Sequence, residues 1–260
     1  MNIVVCVKQV PNTDEIRVDA KNGTLIREGV PSVINPDDKS GLEAALRLKD
    51  SMGAHVTALS LGPLQAEDVL REALAMGADE AVLATDRAFA GGDTLATAYV
   101  IAAAIKTLDY DLIITGCRTI AGGAAQVGPQ ISENLNIPNI SNAKDIKIQA
   151  DSIIATSQFE DWCCVVKAKM PCLITVTSPL NEPRYMTPGG IFEAYQKGIK
   201  KLTRRDLDVD DNRLGMKGSP TRIIKTCAKS AKASGIVIDH LEPQEAASYL
   251  LEKLREKFIL

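Results

Sequence analysis

The feature that most constrains this chain is a repeated alternation, over its first 135 residues, of compact apolar runs with stretches of helical spacing. Residues 3–7 (IVVCV), 54–62 (AHVTALSLG), 79–86 (DEAVLATD) and 111–116 (DLIITG) read as strands buried on both faces. Between them, residues 37–53 begin with Asp37 and Asp38, set Leu42, Ala45, Leu46 and Leu48 at helical spacings and close on Gly53. Residues 63–77 carry Pro63 near a first helical turn, and 93–108 and 123–135 continue the alternation. Strand and helix in such order predict an α/β fold, an open doubly wound parallel sheet covered on both faces.

The remaining stretches read differently. IRVDAKNGTLIR alternates around Asn22-Gly23 and predicts a hairpin. Beyond Pro138, short strands joined by polar turns predict antiparallel strands along one edge of the sheet. From Pro179 to about Gly218 the chain is rich in Pro, Gly, Lys, Arg and Asp, with one short helix expected near residues 191–201. So little apolar surface predicts an extended arm that either stays mobile or wraps a partner. A last helix, over 244–258, is amphipathic through Ala247, Leu250, Leu251, Leu254 and Phe258, and packing on its own domain or on another subunit are both open. The expected division is a nucleotide-binding α/β domain over 1–178 and a C-terminal arm and helix over 179–260.

Composition removes several function classes. With 30 basic and 33 acidic residues the net charge is −3, which leaves no global field for nucleic acid or anionic lipid. No apolar run approaches the roughly 18 residues of a spanning helix, and the N-terminal run is too short for a signal peptide, so a cytoplasmic location without membrane insertion is expected. The six cysteines form no CxxC pair and His55 and His240 lie far apart, so no metal site is expected and the cysteines read as reduced thiols. GxSxG and HExxH are absent, and no side chain is expected to act as a catalyst. Residues 116–129 (GCRTIAGGAAQVGP) lack the Gly-Lys-Ser/Thr of a Walker loop, and KQVPNT follows the first strand where GxGxxG would stand.

A nucleotide site is nevertheless expected, from the loops that leave the carboxyl ends of the strands: residues 8–13, 60–63, 86–94 and 116–126. In an open parallel sheet, ligands sit outside those ends at the switch in strand order. Three of the loops are rich in Gly or small residues, and two lead into helix N-termini, where free N–H groups favour phosphate.

Beyond these patterns, the chain resembles the β subunit of electron-transfer flavoprotein. The resemblance runs in order through VVCVKQVPNT (4–13), Ile34-Asn35-Pro36, ALAMGADEA (73–81), AQVGP (125–129), KMPCLITV (169–176) and LNEPRY (180–185). It implies a nucleotide α-hydrolase-like sheet and an arm that embraces a homologous α subunit carrying a flavin on a swinging domain. It also implies a second adenine nucleotide held in the cleft of this chain. In conventional members that nucleotide is structural AMP. In electron-bifurcating members it is FAD, reduced by NADH, with electrons passing to ferredoxin or flavodoxin and to a flavin dehydrogenase of CoA-thioester or 2-hydroxyacid type. KQVPNT and AFAGGDTLAT (88–97) resemble the bifurcating members. A conventional AMP-bearing carrier is the alternative, and a stand-alone ATP-binding α/β protein, which would normally carry SGGxDS or HxGH, is a third reading.

By the resemblance, cofactor contacts are expected from Val7, Lys8, Val10, Pro11, Thr13, Asn35, Ser60, Leu61, Gly62, Gly116, Arg118, Gly122, Gly123, Ala124, Ala125, Gln126 and Val127. NADH contacts are expected from Gly91, Gly92, Asp93, Thr94 and Thr97, although Asp93 and Thr94 also read as the start of a helix. Tyr185, Pro188, Gly189 and Ile191 are expected to dock the dehydrogenase. The sequence departs from the family in two places. Cys117 stands at a basic position, Ala121 and Gly123 replace two acids, and Ala124 replaces a frequent Thr, so binding there would rest on backbone N–H groups with Arg118 supplying charge. Pro188 occupies the place of an apolar docking anchor, which reads either as a plain turn or as a reshaped docking loop.

Overall fold

A computed structural model describes residues 1–12, 32–221, 224, 235–239 and 241–259. The expected hairpin around Asn22-Gly23, together with Thr13, Cys227 and His240, lies outside the described residues. In chain order the first half contains β1 (Asn2–Cys6), β2 (Gln9–Pro11), β3 (Ser32–Ile34), α1 (Pro36–Met52), β4 (His55–Leu61), α2 (Glu67–Met76), β5 (Glu80–Ala84), α3 (Thr94–Ile105), β6 (Leu112–Gly116) and α4 (Val127–Leu135). The second half adds β7 (Asn139–Gln149), β8 (Ser152–Gln158), β9 (Cys163–Lys169), β10 (Cys172–Val176), α5 (Pro188–Gln196), β11 (Lys200–Leu202) and α6 (Pro243–Glu256).

Among the described residues nine strands form one sheet in the order β11-β5-β4-β1-β6-β10-β7-β8-β9. From β11 to β7 the pairing is parallel, and β7–β8 and β8–β9 are antiparallel, which places the expected antiparallel strands along one edge. Strand periodicity divides the core in two. Ile3 and Val5 of β1 and Leu112 and Ile114 of β6 pack with Leu42 and Leu46 of α1 and Leu70 of α2. Val4 and Ile113 point the other way, against Val100 and Ile101 of α3 and Ile131 of α4. Helices on both faces make the sheet doubly wound, and each fully buried Leu or Ile contributes roughly 1.5–3 kcal/mol.

The chain winds outward from β1 through β4 to β5, then α3 carries it back across the opposite face to β6, on the other side of β1. Strand order therefore reverses between β1 and β6, the position at which open α/β sheets bind ligands. Helix α1 starts with Pro36 in its first turn, followed by Asp37 and Asp38, and ends at Gly53, whose φ of 69° lets its N–H reach the Lys49 carbonyl at 2.9 Å.

Two expectations need correction. The helix expected over 123–135 begins only at Val127, because Gly123 (φ 62°) and Ala125 (φ 54°) adopt left-handed backbone that a helix cannot continue. The core also extends past Pro179. β11 joins the sheet beside β5, and Leu202, Leu207, Val209 and Leu214 are buried in the cluster that holds α3. Helix α5 lies against α2, where the Arg71 guanidinium donates to the carbonyls of Ala194 and Lys197, the latter at 2.5 Å. By contrast α6 has no buried residue, and Leu250, Leu251 and Phe258 are exposed.

The α2–α5 contact has a direct test. A methyl on Gly190 would lie 2.4 Å from the Ala75 carbonyl oxygen, whereas one on neighbouring Gly189 meets nothing within 4 Å. Gly190→Ala is expected to lower unfolding free energy by roughly 1–3 kcal/mol in a denaturant titration, with Gly189→Ala within about 0.5 kcal/mol of wild type. Equal effects would mean that α5 does not sit on α2.

Candidate nucleotide cleft at the switch point

The loops leaving β1 and β6 are fastened together by three residues, Asn35, Asp37 and Asp38, where the chain enters α1. The Asn35 backbone N–H donates to the Lys8 carbonyl (2.9 Å), its side-chain amide donates to the Arg118 carbonyl (2.9 Å), and its Oδ1 accepts from Ile120 N (3.1 Å). Asp38 accepts from Lys8 N on Oδ2 (2.8 Å) and from Gly116 N on Oδ1 (3.1 Å). Asp37 accepts from Arg118 N (3.3 Å) and from Ser178 N (2.9 Å), with the Ser178 hydroxyl also donating to it. The start of α1 thus ties together the chain beyond β1, β6 and β10.

This fastening explains why residue 116 is glycine. A Cβ there would fall 2.1 Å from Asp38 Oδ1 and 2.9 Å from Asp38 N, so any side chain would drive α1 off the end of β6. Gly128 plays a similar part for α4, since a Cβ would meet Thr115 Oγ1 at 2.7 Å and Thr175 Cγ2 at 2.6 Å.

Beyond the fastening, the loop from Gly122 to Gln126 is exposed. Left-handed Ala125 followed by Gln126 in the right-handed helical region (φ −110°, ψ −25°) forms a concavity of backbone N–H groups of the kind that receives anions. Among the described residues, the N–H groups of Ala124, Ala125 and Gln126 donate to no protein acceptor. α4 has no side-chain N-cap bond, so its first turn opens on the same space. Within the frame, Ser60 Oγ and Thr115 Oγ1 are buried at the ends of β4 and β6 without a hydrogen-bond partner among the described residues. Arg118 and Lys8 are exposed and neither is ion-paired among the described residues. Unsatisfied donors, two free cations and absent side chains fit a phosphorylated ligand.

The expected cofactor residues are not equally placed. Lys8, Pro11, Leu61, Gly62, Gly116, Arg118 and the 122–127 loop lie along the carboxyl edge, and Asn35 is buried beneath it as a fastener. Val7 and Val10 are buried, so they offer the edge backbone rather than side chain. Cys117 turns from the cleft and donates its S–H to Asn142 Oδ1 at 3.0 Å, and burial together with Asp37 pushes its thiol up. It therefore cannot replace the charge of a basic residue, which leaves Arg118.

The Gly-rich loop after β5 has the later chain lying against it, with Gly91 still exposed. Met216 lies over Gly91, where a Cβ would meet its Cγ at 2.5 Å, and Gly215 Cα is 3.6 Å from the Cβ position of Gly92. Asp93 caps α3 through Leu95 N (3.0 Å) and Ala96 N (3.1 Å), accepts from Thr221 N (3.1 Å), and donates its own N–H to Ser219 Oγ (2.8 Å). Burial works against its carboxylate, but these hydrogen bonds hold it below its ordinary value. Thr94 is the link to the first loop, since its hydroxyl donates to Gln126 Oε1 at 3.0 Å. Thr97 is half-buried one turn further along α3.

The expected docking residues form a separate exposed patch. Thr187 caps α5 by accepting from Gly190 N (3.0 Å), and Pro188 occupies the first turn. Tyr185 is 94% exposed and Phe192, which sequence reasoning missed, is 75% exposed, with Ile191 and Tyr195 also open. Arg184 anchors the patch, donating to Glu43 Oε2 (2.8 Å) and Asp50 Oδ2 (2.7 Å). Burial opposes ionisation of Glu43, and hydrogen bonds from Arg184 and Arg47 bring its carboxyl below the ordinary range.

Sequence reasoning also missed Asp37, Asp38 and Thr115. The two acids read as ordinary first-turn residues of α1, and Thr115 as the end of a strand. Among the described residues no His, Cys, Asp or Glu cluster suits a metal, and no helix is long and apolar enough to cross a membrane.

Comparison with known proteins identifies the family. The model of the electron transfer flavoprotein domain matches residues 22–207. The chain is 54% identical to the electron transfer flavoprotein subunit beta of Clostridium acetobutylicum, over 99% of both chains. It is 45% identical to subunit CarD of the caffeyl-CoA reductase-Etf complex of Acetobacterium woodii, over the whole of both chains. It is 41% identical, again over both whole chains, to the electron transfer subunit gamma of acryloyl-CoA reductase of Anaerotignum propionicum. With the switch-point cleft in place and a match that spans the chain end to end, this protein belongs to the electron transfer flavoprotein family, as a β subunit.

Proposed function

We propose that this β subunit, paired with its α subunit, holds FAD in the switch-point cleft and works in flavin-based electron bifurcation. The observation that carries the proposal is the end-to-end similarity to subunits whose names place them with caffeyl-CoA and acryloyl-CoA reductases. The chemistry supplied by a flavin here is acceptance of a hydride from NADH and its release as single electrons along two routes, toward ferredoxin or flavodoxin and toward a flavin dehydrogenase. The work of this chain is to bind and orient. The N–H groups of Ala124, Ala125 and Gln126 face the diphosphate, Arg118 and Lys8 supply positive charge, and Asn35 with Asp38 keeps the β1 and β6 loops in register. Thr94, hydrogen-bonded to Gln126, joins that side of the cleft to the loop assigned to NADH, where the Thr94 and Thr97 hydroxyls and the exposed backbone of Gly91 are the available contacts. A cytoplasmic location fits this reading.

The patch of Tyr185, Ile191, Phe192 and Tyr195 fits the dehydrogenase, a CoA-thioester or 2-hydroxyacid enzyme. The apolar stripe of α6, which no described residue buries, fits the α subunit. A conventional carrier with structural AMP is the second reading, favoured by the Met216 side chain lying against Gly91, since AMP needs no neighbouring nicotinamide pocket.

Two measurements test the proposal. Nucleotide released from the purified heterodimer is expected to be two FAD, with NADH bleaching flavin absorbance on anaerobic rapid mixing; one FAD plus one AMP, and no bleaching, would establish the conventional carrier. Phe192→Ala is expected to raise the apparent KM of the dehydrogenase for the heterodimer about tenfold, roughly 1.4 kcal/mol, at unchanged nucleotide content. An unchanged KM would move the docking surface elsewhere.

A further inference from the structure

Asp38 is only 6% exposed and sits between the ends of β1 and β6, each of its oxygens accepting one backbone N–H. The groups facing it are few. On its own helix Asp37 is engaged by Ser178 and Arg118, and Lys39 is drawn away to Glu72 at 2.7 Å. From β1, the Cys6 thiol is pushed up by burial and by Asp38 itself. From the two loops come Lys8 and Arg118, whose side chains are exposed, and the raised thiol of Cys117. Among the described residues no cation pairs with Asp38. Burial, opposed by hydrogen bonds from Lys8, Asn35 and Gly116 and reinforced by Asp37, pushes its carboxyl from 3.8 up to about 7.

Resting on the nucleotide reading of the cleft, we propose that Asp38 is a proton-linked positioning residue: entry of an anionic nucleotide is accompanied by uptake of a proton from solvent onto the Asp38 carboxyl. The phosphate brings negative charge beside a carboxyl that has lost most of its water and has no counter-charge, and like charges in such a place favour the neutral acid. Linkage then works in both directions. If the nucleotide favours protonated Asp38, protonated Asp38 favours the nucleotide, so affinity falls as pH rises through the range in which Asp38 ionises. The protonated acid still accepts from Lys8 N and Gly116 N through its remaining lone pairs, so the two loops stay fastened while the charge disappears.

The experiment titrates AMP, the fragment common to both nucleotides considered, into nucleotide-stripped heterodimer by calorimetry at pH 7. Buffers of different ionisation enthalpy then give the number of protons taken up. Wild type is expected to take up roughly half a proton more per site than Asp38→Asn, and its Kd to weaken about tenfold from pH 6.5 to 8.5 relative to the variant. Protons released or taken by the AMP phosphate are common to both proteins and cancel in the comparison. Equal proton counts and parallel pH profiles would overturn the proposal and leave the cleft standing. Failure of wild type to bind either AMP or FAD would instead overturn the nucleotide reading, and the proposal with it. Should Asp38→Asn not assemble with its α subunit, wild type decides alone between pH 7.5 and 8.5, where the AMP phosphate, whose second pKa is about 6, is already a dianion: a Kd that weakens over that range supports the linkage, and one that is constant or tightens overturns it.

Discussion

Everything at the functional edge of this protein depends on one set of hydrogen bonds, those by which Asn35 and Asp38 at the head of α1 hold the chain leaving β1 and the chain leaving β6. A parallel sheet leaves a gap where its strand order reverses, and the backbone groups on either side of that gap have no ladder to satisfy them. Here a buried amide and a buried carboxyl take up the innermost of these groups. The outer N–H groups, from Ala124 to Gln126, remain available. The same contact fixes the choice of residue at position 116, because α1 comes so close to β6 that no side chain fits.

The two faces of the sheet are used unequally. α1 and α2 with the antiparallel β7–β9 edge build a core on one side, while α3 and α4 build the other and receive the returning chain from β11 to Leu214. That return sets Gly215, Met216 and Ser219 against the loop after β5, with Gly91 still exposed. Gly91 answers to its left-handed backbone (φ 73°) and to the Met216 side chain that lies against it, and Gly92 to the nearby Ala96 side chain, while the proposed cleft lies nearer β1 and β6. Among the apolar side chains left outside both cores are those around Tyr185 and Phe192 and those along α6, the two surfaces assigned above to partners in the proposed function.

Periodicity made the sheet and its four principal helices legible, since Ile3, Val4 and Val5 or Leu112, Ile113 and Ile114 can be continuously apolar only when both faces are covered. The loops of the cleft were legible from where they fall in the alternation. The stretch after Pro179 was not, because Leu202, Leu207, Val209 and Leu214 reach the core at irregular spacings that match neither a helix nor a strand. The helix start at Gly123 was misplaced for a local reason: apolar spacing says nothing about left-handed backbone at Ala125. Asp38 was hidden for the opposite reason, since an acid in a first helical turn has a routine electrostatic explanation that conceals its contacts with Lys8 and Gly116.

The central claim is that the nucleotide sits at the reversal between β1 and β6, on the free N–H groups of the loop before α4. Amide hydrogen exchange of the assembled heterodimer, with its nucleotide retained and after its removal, reads those groups directly. The account predicts that retention slows exchange most at residues 122–127, with a smaller effect at Lys8 and Gln9, and leaves the outer strands β8 and β9 unchanged. Exchange at 122–127 that is indifferent to the nucleotide, with slowing confined to some other edge of the sheet, would contradict it.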